Sequence, residues 1–189
     1  MRCCKKFSLI GLFLAGLLLA SLAHADGISV QRAEGRFADN SYQLSADFDI
    51  NFNFVVEQAL TRGITLYFIS EFTLTRQRWY WFDEVAVKSE QTIKLSYNAL
   101  TRQYRLSHGA LYQNFSSLED ALRTLGHQSS PPVEMSLLKR DSDHIASLRM
   151  RLDVSQLPKP LQVNALAGND WNLDSGWYHW IVRPGSDGN

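Results

Sequence analysis

Between Tyr42 and Phe54 the chain alternates without a break. Tyr42, Leu44, Ala46, Phe48, Ile50, Phe52 and Phe54 are apolar, while Gln43, Ser45, Asp47, Asp49, Asn51 and Asn53 between them are polar. A period of two sends successive side chains to opposite sides of an extended chain. The segment therefore predicts a strand with one buried and one wet face. Ile28 to Phe37 is a weaker strand, and Ala38-Asp39-Asn40-Ser41 supplies turn residues to join the two as a hairpin.

The period then changes. Asn53 is placed to cap a short helix from Phe54 to Arg62, with Val56 and Leu60 four apart and Gly63 as its stop. Ile64 to Thr75 returns to strand character, and apolar residues on both of its faces predict a central strand covered on two sides. Val85 to Tyr97 and Arg102 to Ser107 follow as strands joined through Asn98–Thr101, and Leu111–Phe115 lies beyond Gly109. Ser116 and Glu119, three apart, read as a capping box for a helix ending at Gly126. Its stripe is Leu118, Ala121, Leu122 and Leu125. Val133–Leu138 and Ile145–Val154 read as a hairpin about a charged tip. Leu157 to Pro160 is a connector, followed by one helical turn to Leu166 before Gly168, and Trp171–Val182 is a last aromatic-rich strand region. Many strands, two short helices and no alternation of strand with helix predict a mainly β fold. The expected architecture is an antiparallel β-sandwich, immunoglobulin-like, in one domain over residues 26–183, with residues 184–189 a frayed tail.

The N-terminus departs from this pattern. Arg2, Lys5 and Lys6 precede a run, Phe7 to Leu22, in which only Ser8 and Ser21 are polar, and Ala23-His24-Ala25 ends it. Charged, apolar and small-residue segments in that order predict a secretory signal cleaved before Asp26. As a helix the run would reach roughly 24 Å, short of the ~30 Å hydrocarbon core that a retained anchor must cross. Cys3 and Cys4 are the only cysteines, so the exported part has none, and neither a disulfide nor a thiolate metal site is available to it. The whole chain carries 19 basic and 19 acidic side chains. Loss of Arg2, Lys5 and Lys6 leaves a mild acidic excess, which argues against nucleic acid as a partner.

Several segments together resemble one family. They are Arg78-Trp79-Tyr80-Trp81-Phe82-Asp83, the run Leu95 to Leu106, the run Leu157 to Leu166 and Asp170-Trp171-Asn172-Leu173. The family is one of exported bacterial proteins known as domain of unknown function 4390, and the resemblance extends over nearly all of residues 26–189. It implies export in a Gram-negative bacterium, to the periplasm or beyond. Members are often encoded beside a membrane sensor kinase, which implies a protein partner in the envelope. It supplies no catalytic residues.

Candidate chemistry must then come from the residues themselves. In Arg76-Gln77-Arg78-Trp79-Tyr80-Trp81-Phe82, alternation puts Arg76, Arg78 and Tyr80 opposite Trp79 and Trp81. Those three form a candidate contact set if the Trp pair is buried, since Arg and Tyr are common interface anchors. Trp177, His179 and Trp180 on the last strand are a second candidate platform. Their aromatic bulk would serve equally well as a plug for the sandwich. Asp141, Asp143 and His144 lack the glycine and distal glutamate of a calcium loop and read as a solvated tip, so no metal or cofactor is expected. Asp47 and Asp49 read as part of a wet sheet face. His108, His127, His144 and His179 form no helical pair, and no Gly-x-Ser-x-Gly elbow exists. The expected function is an exported, non-catalytic binding or adaptor module. The alternative is a periplasmic hydrolase whose site is assembled only in space.

Overall fold

The computed structural model describes residues 27–38, 41–76, 84–134 and 143–183. Its elements are β1 (Gly27–Ala38), β2 (Ser41–Asn51), α1 (Phe54–Thr61), β3 (Leu66–Arg76), β4 (Glu84–Asn98), β5 (Gln103–His108), β6 (Leu111–Phe115) and α2 (Leu118–Gly126). They continue as β7 (His127–Ser129), β8 (Val133–Glu134), β9 (His144–Leu152), a 3-10 turn at Val154–Gln156, α3 (Lys159–Ala167) and β10 (Tyr178–Val182). The strands form two antiparallel sheets. One has the order β10-β9-β3-β4-β5-β6, and in the other β2 lies between β1 and the two short strands β7 and β8. The expected mainly β, two-layer architecture is what the chain adopts.

The alternation of β2 is realised as predicted from Tyr42 to Ile50, whereas Phe54, expected on the same buried face, opens α1 and is 76 % exposed. Tyr42, Leu44, Ala46, Phe48 and Ile50 are buried, and they share one core with Phe68, Phe72 and Leu74 of β3 and Leu148, Met150 and Leu152 of β9. Each large side chain removed from water there contributes about 1.5–3 kcal/mol. β3 pairs with β4 on one side and β9 on the other, and Ile69 and Glu71 on its second face are buried too. It is the central strand that its composition predicts, but its second face lies on the outer side of the sheet and is not covered by another layer among the described residues.

The helices have local causes. Asn53 Oδ1 accepts from the Val56 N–H at 2.9 Å, Val56 and Leu60 are fully buried, and Gly63 takes φ +92° just past the end of α1. In α2 the cap is Ser117 rather than Ser116. Its Oγ accepts from the Asp120 N–H at 3.1 Å and donates to Asp120 Oδ2 at 2.6 Å, so the capping pair lies one residue later than expected. Ala121 and Leu125 are buried beneath this helix, with Leu118 and Leu122 half-buried beside them.

A third helix, α3, is the helical turn expected before Gly168, longer than expected because it begins at Lys159, inside the connector. Pro158 stands at its N-cap and Pro160 in its first turn, where a missing N–H costs nothing because no carbonyl precedes it in the helix. Of the expected hairpin between Val133 and Val154, residues 135–142 lie outside the described residues, and the parts on either side belong to different layers. Val133–Glu134 pairs with β2 in one sheet, while His144–Leu152 pairs with β3 and β10 in the other. A polar tip between two apolar runs reads the same way in either case. Which sheet each run joins is decided by long-range pairing.

Candidate functional site

The even residues of β9 face the core, so its odd residues, Ile145, Ser147, Arg149 and Arg151, face outward. Antiparallel register sets Ser147 beside His179 of β10 and Thr73 of β3, and sets Arg149 beside Glu71. Between α3 and β10 the chain runs along the end of β9. The Leu152 N–H donates to the Leu173 carbonyl at 2.8 Å, and the Ser175 N–H donates to the Met150 carbonyl at 2.9 Å. Trp171 and Leu173 fill the core from this segment, and Asp174 is left facing Arg149.

Arg149 and Asp174 form a two-pronged pair. Nε donates to Oδ1 at 2.9 Å and Nη2 donates to Oδ2. The Gly176 N–H adds a third donor to Oδ1 at 2.9 Å. Hydrogen bonding to Arg149 holds the Asp174 carboxyl below its usual range, and partial burial opposes this without cancelling it. The same bond raises the Arg149 guanidinium. With both side chains about three-quarters covered, the pair is a fixed feature of the face rather than a mobile surface contact.

Trp177 builds on that pair. Its ring lies with its centroid 5.7 Å from Arg149 Cζ, within range of a cation–π attraction. The ring is 17° from parallel with His179, with centroids 6.3 Å apart. Trp177 is 44 % exposed, so the guanidinium, indole and imidazole make one partly open patch. Its inner margin is Glu71, whose Oε1 is 3.5 Å from Arg151 Nη2 and whose Oε2 has no hydrogen-bond partner among the described residues. Ser147 Oγ and His179 Nδ1 are 2.7 Å apart.

Of the residues expected from sequence, Trp177 and His179 therefore share one outward face. Trp180 does not join them. It alternates to the other side of β10 and packs against the core, with Tyr178 tilted against it at 5.9 Å. Arg76 is the last residue of β3, half-buried, opposite Glu84 and His144 in the ladders. Arg78 and Tyr80 lie outside the described residues. Arg149 and Asp174 were not anticipated, because 25 residues separate them and neither stands in a local motif. His127 has no partner by local spacing, yet its Nδ1 is 2.6 Å from Asp47 Oδ1 across 80 residues of chain. Among the described residues no group of three or more His, Cys, Asp and Glu side chains is placed to hold a metal ion, and no helix is long and apolar enough to cross a membrane.

Fold and site together define a two-layer antiparallel β protein that presents an aromatic and cationic patch on the outer face of its larger sheet. The chain matches the family described as Domain of unknown function (DUF4390) over residues 25–181, and it belongs to that family. No curated protein and no solved structure matches it.

Proposed function

We propose that the protein is an exported periplasmic binding or adaptor module without catalytic activity, and that the patch around Trp177 is its contact surface. The observation that carries this reading is the open indole of Trp177 between His179 and an Arg149 held by Asp174. A Trp and an Arg fixed in place lose little entropy when a partner covers them, which is why such residues dominate interface energetics. Export rests on the charged, apolar and small-residue order of residues 1–25. The family resemblance makes a membrane sensor kinase the first partner to test.

The test is crosslinked capture from the native envelope with wild type and with Trp177→Ala. We expect the variant to fold and to lose the captured partner. Retention of the partner by a folded Trp177→Ala protein would move the contact surface elsewhere.

The Ser147–His179 pair is the observation that favours a hydrolase instead. Two features weigh against it. Ser147 is only 6 % exposed, and it sits mid-strand between β3 and β10, where the ladders on both sides engage the backbone amides that an oxyanion hole would need. Labelling of Ser147 by a fluorophosphonate would support the hydrolase and overturn the non-catalytic reading.

A further inference from the structure

A groove of about 850 Å³ opens along β2 where β7 stops, apart from the Trp177 patch. Backbone geometry gives it one unusual wall. Leu44 turns both of its backbone groups toward the β7 side. Its N–H donates to Ser130 Oγ at 3.0 Å, and its carbonyl accepts from the Ser130 N–H at 2.8 Å. Along an antiparallel strand this direction repeats every second residue, so Ala46, Phe48 and Ile50 present their backbone to the same edge. Ala46 is paired with Gln128, and the Phe48 carbonyl is covered by Gly126 at the end of α2. The last β7 pair is Asp47 with His127, so Ile50 lies beyond it, where the groove begins. The wall is thus a strand edge whose ladder has been interrupted.

The other walls define what would suit that edge. Phe52, Leu118 and Leu122 are half-buried and give the groove an apolar floor. Among the described residues Asp47, Asp49, Glu57 and Glu119 line it; Asp47 meets His127 at 2.6 Å, and Arg123 is paired with Glu119 at 2.8 Å and Asp120 at 3.1 Å, which leaves Asp49 and Glu57 facing the groove. The end of a strand edge past its last ladder pair, an apolar floor and a surplus of carboxylates call for an extended chain that carries both positive and apolar side chains.

We propose that this groove takes an extended basic segment of a protein partner, added as a strand to the edge of β2 beyond β7. Its backbone continues the ladder at Ile50. Alternate side chains then fall on the floor at Leu118 and Leu122, and the intervening Lys or Arg side chains reach Asp49 and Glu57. The site is separate from the Trp177 patch and stands or falls independently of it.

The test is fluorescence anisotropy on the full exported chain, with a labelled ten-residue peptide of alternating lysine and valine as probe. We expect saturable binding that weakens with added salt, and no binding of the glutamate–valine counterpart. Asp49→Asn combined with Glu57→Gln should weaken binding by about fivefold or more. Glu119→Lys, a change at one exposed helical position, should weaken it likewise should the double variant fail to fold. Methylation of alternate peptide amides should weaken binding in one register and spare it in the other. Equal binding of the acidic peptide, or undiminished binding by the folded variants, would overturn the proposal. Spermine competing as tightly as the peptide would point to a simple cation site, and indifference to amide methylation in both registers would exclude strand addition. Either result overturns it.

Discussion

Gly126 lies so close to Phe48 that a Cβ built on it would fall 2.2 Å from the Phe48 carbonyl oxygen. The sequence marks this glycine as a helix stop, but among the glycines with positive φ it does not appear. Its role is close approach. The end of α2 reaches the β2 backbone only because no side chain intervenes.

That contact makes Gly126→Ala a sharp test. The obstructing atom is backbone, so either the helix or the strand must shift. We expect a loss of about 2–4 kcal/mol, in the range of overpacked or strained sites. Urea denaturation of the purified variant measures it. A loss below about 0.5 kcal/mol would mean that α2 does not rest on β2 in this way.

The two faces of β2 should respond very differently to truncation. Phe48 is buried and Asp49 is exposed, although they are neighbours in sequence. Phe48→Ala should cost about 3–5 kcal/mol through the cavity it leaves. Asp49→Ala should cost under about 0.5 kcal/mol, since its bond from Asn51 at 3.0 Å is solvent-exposed. Equal losses in paired melts would overturn the assignment of the faces.

Asp174 predicts a specific pH dependence. Its carboxyl is held below the usual range in the folded protein, chiefly by the hydrogen bond from Arg149. The unfolded chain therefore binds a proton before the folded one does as pH falls. The stabilisation is fully present above the unfolded value of ~3.9 and is lost as pH falls through the lower, folded value. Asp174→Asn should be less stable than wild type at pH 7, and the gap should narrow in acid. A gap independent of pH would show that Asp174 acts through shape rather than charge.

The helix caps give a smaller, cleaner effect. Asn53→Ala removes the acceptor for the Val56 N–H and also the bond from Asn53 Nδ2 to the Asp170 carbonyl at 2.6 Å. We expect a cost of about 1 kcal/mol or somewhat more, because one change removes both a cap and a link to the segment before β10. Ser117→Ala should cost about 1 kcal/mol as well, and Ser116→Ala almost nothing. The reverse order for the two serines would restore the cap position that spacing alone suggests.

What could be read from the sequence is what neighbouring residues decide. The strict alternation from Tyr42 to Ile50, the two-sided apolar character of β3 and the Asn53 cap follow from pleat, burial and local hydrogen bonding, which act over a few residues. Even there the resolution was limited, since Ser116 and Ser117 are equivalent by spacing and only the path of the chain chooses between them. Assignment of β8 and β9 to different sheets was not legible. Nor were the seat of Gly126 on Phe48, the meeting of Asp47 with His127, or the Arg149–Asp174–Trp177 patch. Each depends on strand register between segments 25 to 93 residues apart. Register is a property of the whole packed core. A shift of one residue in β10 would turn His179 inward and Trp180 outward, leaving every local pattern in the sequence unchanged.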